Sequence, residues 1–288
     1  MKLIDIFGAI TVAVLWGMGF IVAKAGMDHF SPILLMALRF TVTALCLVWF
    51  FRPPAKLLKQ LFFIALISAT LQYSLTFTGV SGIDASTAAL LVQLEVPFGL
   101  LLAWLLIGEK LTMRQFFGVL IAFIGAVLII GEPKLSGQLS YAFMVIAGAF
   151  TWAVGQVMIK KLGNVDGFSL ISGIAVLAAP QLYLAAYLLE DDLVQQIQTA
   201  PMESWAAVAY LGLIMTALAY AIWYRLLGLY SVNKVMPYLL LLPVTSVLGG
   251  IFFLDEQLTT KIISGGVLAL IGVAVITITP KFTKTTTG

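Results

Sequence analysis

A chain of 288 residues that is 61% hydrophobic and only 10% charged lies far from a soluble domain, in which roughly a quarter of the residues carry charge. This is the composition of a polytopic membrane protein. The net charge of +3 reports membrane orientation rather than an anionic partner, because the basic residues sit in short loops, and nucleic-acid binding has no support.

A spanning helix takes about 20 mostly apolar residues, and ten segments meet that rule: 4–26, 32–51, 57–79, 83–107, 113–131, 138–160, 167–189, 203–226, 230–254 and 260–279. In the first, the apolar run from Ile6 continues past Trp16 to about Gly26 without a small-residue cleavage site. It therefore reads as a retained span rather than a signal peptide. His29 falls in the next loop, beside Asp28 and Phe30, and reads as a solvated residue. One histidine and one cysteine, Cys46 inside an apolar run, build neither a metal site nor an internal disulfide. The connections are short and carry helix punctuation, as at Ser31-Pro32, Pro53-Pro54 and Ser81-Gly82. The longest, about 190–202, is acidic and glutamine-rich, and a polar tail runs from Lys281 to Gly288.

The segments are arranged as a doubled object. Leu94 to Thr112 (LEVPFGLLLAWLLIGEKLT) has a second copy in Leu241 to Thr259 (LLPVTSVLGGIFFLDEQLT). A spacing of 147 pairs Tyr73 with Tyr220, Glu109 with Glu256, Thr112 with Thr259, Gly118 with Gly265 and Gly125 with Gly272. Earlier in each half the spacing is 136, pairing Trp16 with Trp152, Gly19 with Gly155 and Lys24 with Lys160. An insertion within Glu190 to Glu203 accounts for the difference. The organisation expected is therefore residues 1–134 as one five-helix repeat, 135–280 as a second, and 281–288 as a short cytoplasmic tail.

Lys and Arg favour the cytoplasmic side. With the N-terminus inside, that side collects Lys2, Arg52, Lys56, Lys59, Lys110, Arg114, Lys160, Lys161, Arg225, Lys281 and Lys284, and the outside receives chiefly Lys24, Lys134 and Lys261. Both termini are then cytoplasmic. A repeat with an odd number of spans enters the membrane the second time from the opposite side, so the fold class expected is an all-α polytopic membrane protein of ten helices in two inverted five-helix repeats. Inverted repeats are the architecture of many secondary transporters, which hold substrate near the midplane and expose it to each side in turn.

Several residues are candidates for that role. Glu95 lies roughly 16 Å below Asp84 and Arg39 about 12 Å below Pro32 at 1.5 Å per residue, so the two charges share a depth and are placed to pair. An intramembrane charge usually faces a cavity or a partner. One reading makes Glu95 the site of a substrate cation or a proton, with Arg39 tuning it; the other makes them a structural ion pair. Trp16 and Trp152 are repeat-related, and Trp152 shares a helix face with Gln156; all lie well inside their spans. Tyr73 and Tyr220 are a second such pair, and buried phenols need partners. Gln93 shares a face with Pro97 and Trp104, whereas Glu95 points about 200° away on a straight helix, so both line one cavity only if the proline distorts helix 4. Pro97, Pro237 and Pro243 interrupt helices 4 and 9 and suit a gate that rocks. Lys24, Lys160, Lys161 and Arg225, near helix ends, read as snorkelling orientation signals.

The motifs LWGMGFIVAK, ALRF, GIDASTAALLVQLEVP with GEKLT, FTWAVGQVMIKK, AYAIWYRLLGLYSVNKVMPYLLLLPV and DEQLT follow one another along the whole chain. In that order they resemble the EamA-type permeases of the drug/metabolite transporter superfamily. The resemblance implies an exporter of amino acids or related small metabolites, with a cavity lined by helices 1–4 and 6–9 and with helices 5 and 10 as scaffold. The family usually sets Glu directly before Pro in helix 4; here Val96 intervenes, turning the proline by about 100°. In the second half Leu242 stands where that glutamate would be. The partners expected are a small-molecule substrate, the lipid bilayer and, through Glu95, a proton; no cofactor or metal is called for, and the oligomeric state is open. An intramembrane enzyme is disfavoured by the lack of HExxH, GxSxG and Walker A motifs. A carrier of sugar phosphates, nucleotide sugars or drug-like cations is the alternative within the transporter class.

Overall fold

The computed structural model describes residues 1–163, 165–230 and 235–278, and among them the regular structure is all helical. Eight helices of the described residues are long and apolar enough to cross a membrane. These are α1 (Leu3–Gly26), α3 (Ala55–Gly82), α4 (Ala85–Ile107), α5 (Met113–Ile130), α6 (Leu139–Lys161), α7 (Gly167–Leu189), α8 (202–229) and α10 (Thr260–Thr277). Two shorter apolar helices, α2 (Pro32–Leu47) and α9 (Tyr238–Leu254), lie between them in sequence. Helix α2 stops ahead of the predicted boundary, and Trp49 and Phe50 beyond it are 77% and 79% exposed, as aromatic residues at a membrane interface are. Residues 231–234, ahead of α9, and the tail 281–288 lie outside the described residues.

Local sequence chemistry accounts for the helix ends. Gly108 takes φ +75°, and the N–H of Glu109 reaches back to the carbonyl of Ala103 at 3.3 Å, closing α4 with a left-handed cap. Asp255 does the same for α9 at φ +51°, with the Glu256 N–H on the Gly250 carbonyl at 3.1 Å; Asp is one of the few side chains that visits this region. Thr112 and Thr259 then cap α5 and α10, each hydroxyl accepting from a backbone N–H at 3.3 Å.

The polar connection after α7 is not a plain loop. It holds a two-turn helix, Leu193–Thr199, and the Glu190 carboxylate accepts from the N–H groups of Ile33 (2.7 Å) and Leu34 (3.0 Å) and from the Ser31 hydroxyl (2.6 Å). Those are the orphan donors of the α2 N-terminus. His29 joins this cap, its Nε2 standing 2.8 Å from the Gln196 carbonyl, and is not the freely solvated residue expected.

Helices α1, α2, α3 and α4 pack chiefly across the chain, α1 between α8 and α9, α6 between α3 and α4, α2 on α7, and α5 on α10. The α5–α10 crossing runs antiparallel, with Gly118 against Gly272 and Gly125 against Gly265. A Cβ on Gly125 would meet the Gly265 carbonyl at 2.6 Å, and one on Gly272 would meet the Gly118 carbonyl at 2.6 Å, so the two backbones touch as small-residue helix pairs in membranes do. Replacing Gly125 with Leu is expected to lower the melting temperature of the detergent-solubilised protein markedly, since overpacking costs about 1–3 kcal/mol even where side chains can adjust. Gly99→Leu, at a position with nothing within 4 Å, is the control that should leave the melting curve in place.

Candidate functional site

Arg39 on α2 is 1% exposed, and the ion pair with Glu95 suggested by their common depth does not form. The three ion pairs of the described residues are Lys134–Asp84, Lys160–Glu109 and Arg225–Asp5. Arg39 instead donates from Nε and Nη2 to the Thr216 hydroxyl at 3.1 and 3.0 Å, and from Nη2 to the Tyr73 hydroxyl at 3.4 Å. Its guanidinium carbon lies 4.7 Å from the Tyr73 ring centroid and 5.6 Å from that of Phe40. A desolvated cation over an aromatic face gains about 2 kcal/mol, which partly replaces the missing anion.

The backbone of α8 sets this geometry. Residues Tyr210–Leu218 run as a π-helix, and the Thr216 hydroxyl donates to the carbonyl of Leu211, five residues back, at 2.8 Å. Both Thr216 lone pairs are thereby left to Arg39. One residue earlier, the Met215 carbonyl accepts from the Trp16 indole at 2.9 Å, and the Trp16 ring lies 5.1 Å from Tyr220 and 5.6 Å from Trp223. Trp16, Arg39, Tyr73 and Tyr220 thus gather on one side of the bundle, around α8. A second π segment, Leu66–Leu71, stands just before Tyr73 in α3. π segments favour functional sites, and neither has a signature in hydropathy.

The other four candidates lie on α4 and α6, helices joined by the contact of Phe98 with Phe150 at 5.4 Å. Helix α4 is broken: regular helix stops at Val92 and resumes at Glu95. Pro97 has no N–H to offer the Gln93 carbonyl, which takes the N–H of Val96 at 3.2 Å instead. The 200° separation counted on a straight helix therefore does not apply to Gln93 and Glu95. Glu95 opens the resumed helix, where Pro97 lacks an N–H and the N–H groups of Val96 and Phe98 are already on the carbonyls of Gln93 and Leu94. Pro243 stands in a corresponding break, Leu240 having φ −63° and ψ −16° against −62° and −13° at Leu94. Pro237 lies in the short 3₁₀ turn Met236–Leu240 that leads into it. No hydrogen bond or ion pair joins the Gln93, Glu95, Trp152 or Gln156 side chains to another described residue.

Charged residues near the helix ends do more than signal orientation. Arg225 holds Asp5, 1% exposed, through Nη2 at 3.1 Å, and the Tyr230 hydroxyl donates to the same carboxylate at 2.6 Å. Lys24 donates to the carbonyls of Val80 (2.7 Å), Ser81 (2.9 Å) and Ile83 (2.8 Å), the C-terminus of α3. Beside it Glu256 accepts from the N–H groups of Ala85 (2.5 Å) and Ser86 (3.0 Å) and from the Ser86 hydroxyl, the N-terminus of α4.

Comparison with known proteins fits this architecture. The chain belongs to the EamA-like transporter family, whose pattern matches residues 3–131 and again 139–278. It is therefore a multi-pass integral membrane transporter. It is 33% identical over 278 residues to a probable amino-acid metabolite efflux pump of Salmonella typhimurium, covering 93% of each chain. A protein of the same description from Escherichia coli is 31% identical over 92% of this chain and 91% of its own. A probable terminal-alkyne amino-acid exporter of Streptantibioticus cattleyicolor is 25% identical over 94% and 92%. A solved crystal structure superposes with a TM-score of 0.66 at 20% identity, covering 96% of this chain and 97% of its own, a likeness of fold.

Removing the acceptor beneath Arg39 tests the first cluster. Thr216→Val is expected to destabilise the detergent-solubilised protein by about 3 kcal/mol, the loss typical when one partner of a buried charge is removed. Thr216→Ser should retain most of the stability; unfolding by heat or denaturant distinguishes the two.

Proposed function

We propose that this protein is an exporter of amino acids or closely related metabolites, working by alternating access between two inverted five-helix repeats. Residues 1–134 and 135–280 form the repeats, in the cytoplasmic membrane, with both termini inside. The observation that carries the reading is that Glu95, in the middle of a spanning helix, has no partner among the described residues. A carboxylate so placed needs a cation from outside the chain, or a proton. Arg39 is a buried cation with no carboxylate partner among the described residues. An unpaired anion and an unpaired cation in one bundle suit a zwitterion, whose ammonium and carboxylate supply the missing charges.

Trp16, Tyr73, Gln93, Trp152, Gln156 and Tyr220 complete the proposed site, with Pro97, Pro237 and Pro243 as the bends about which the halves rock. The paired turns at Gly108 and Asp255, the paired π segments, and the two-fold pattern of the α5–α10 crossing support the repeat. Two relatives described as amino-acid metabolite efflux pumps support the substrate class. Sugar phosphates would call for several cations at the site, and Arg39 alone among the nominated residues is one.

Uptake of a panel of radiolabelled amino acids into inside-out vesicles, with and without an imposed proton gradient, tests the reading. Saturable uptake of one or a few amino acids is expected, with Glu95→Gln reducing it to background. Flux through Glu95→Gln with an unchanged pH dependence would remove the proton from the mechanism, and no uptake of any amino acid would remove the substrate class.

A further inference from the structure

Most cations near the helix ends of the described residues are engaged by the protein itself. Lys24 and Lys261 hold backbone carbonyls, Arg114 holds that of Ile278, Lys134 and Lys160 hold carboxylates, and Arg225 holds Asp5. The connection between α2 and α3 differs. Arg52, Lys56 and Lys59 are all exposed, and no hydrogen bond or ion pair joins their side chains to another described residue. No acid stands between Asp28 and Asp84 in the sequence. Asp166 is brought towards this connection by the stacking of Phe168 on Phe51, with ring centroids 4.6 Å apart, but its carboxylate caps its own helix, accepting from the Ser169 N–H at 2.8 Å.

Helix lengths bring those cations to the lipid. Helix α2 has 16 residues, about 24 Å at 1.5 Å per residue, against a hydrocarbon layer of about 30 Å. A span that short draws its flanking residues into the headgroup layer. Helix α3 has 28 residues, about 42 Å by the same rise, so its first turns stand clear of the hydrocarbon. Those turns carry Lys56 and Lys59, three positions apart on one face, and Phe63 follows one turn further along that face, also exposed. From the interface inward the face offers two ammonium groups and then a phenyl ring. Across the connection, at the end of α2, the rings of Trp49 and Phe50 are exposed as well.

We propose that the α2–α3 connection is a binding site for an anionic phospholipid, its phosphate held by Arg52, Lys56 and Lys59 and its acyl chains lying against Phe63, Trp49 and Phe50. A guanidinium takes two phosphate oxygens at once, and the two ammonium groups supply point charges beside it. The occupant is a membrane lipid rather than a soluble phosphate, because the exposed rings complement acyl chains and a tryptophan so placed sits at headgroup level. The inference uses none of the residues of the proposed transport site, so it stands or falls apart from the exporter reading.

The test uses the full chain in bilayers of phosphatidylcholine. Ala55, exposed between Arg52 and Lys56, is replaced with Cys in a Cys46→Ser background and labelled with bimane. Phosphatidylglycerol or phosphatidylcholine carrying a spin label near the glycerol is then titrated in as a quencher. Phosphatidylglycerol is expected to quench at a mole fraction about fivefold lower, the effect of one fully used cation at an anionic headgroup. Arg52→Gln with Lys56→Gln should bring the two lipids to parity. Lys2→Gln with Lys110→Gln removes the same charge from other exposed helix ends and should leave the preference in place. Equal quenching by the two lipids in the parent, a preference that survives Arg52→Gln with Lys56→Gln, or one lost equally with Lys2→Gln and Lys110→Gln overturns the site. The melting temperature in phosphatidylcholine alone should be the same in parent and variants; a fall with Arg52→Gln and Lys56→Gln would mean that these side chains bond the protein, and would overturn it too.

Discussion

Inside a hydrocarbon layer a backbone N–H or C=O has no water to turn to, so every helix end and helix break near it must find a partner within the protein. In this chain the partners come from far away in sequence. Glu190 serves α2, Glu256 serves α4, Lys24 serves the end of α3, and the indole of Trp16 takes the Met215 carbonyl inside the π segment of α8. Three of these, from Glu190, Glu256 and Trp16, also tie the two halves of the chain together, while Lys24 works within the first. Against that background the side chains left over become informative. Glu95, Gln93 and Gln156 stand in mid-span without a side-chain partner among the described residues, in a protein that elsewhere recruits acids and amides to its helix ends.

Much of the architecture was legible in the sequence because it is written in local chemistry. The turns GEKLT and DEQLT announce themselves by a residue that tolerates a left-handed conformation and a capping threonine, and both behave so. Apolar length located most of the helices. What could not be read is the azimuth of each side chain. Depth along a helix is a sum of residue rises, and Arg39 and Glu95 share it; the direction each faces is fixed by packing between helices, and packing gives Arg39 to Thr216, 177 positions away. The π segments were invisible for a related reason: residues 66–71 and 210–218 have the same apolar character in either winding.

The breaks in α4 and α9 keep one backbone shape and differ in chemistry. Leu94 and Leu240 have nearly the same backbone angles, so the bend before each proline is kept. Val96 separates the acid from Pro97 and leaves Glu95 at the first position of the resumed helix. In the other break the corresponding neighbourhood is leucine. Two similar breaks thus carry one charge between them.

The crossing of α5 and α10 joins Gly118 to Gly272 and Gly125 to Gly265, and these are the pairs generated when one surface meets a copy of itself about a two-fold axis. Two copies of a chain carrying this surface would already hold both sides of the joint. Fusion makes the association independent of concentration and releases the halves from having to match. Arg39 shows what that release permits. Its counterpart at the 136-residue spacing is Ala175, buried on α7 where α7 packs on α2. Two identical subunits would have to bury two guanidinium groups about that contact, and a fused chain can bury one.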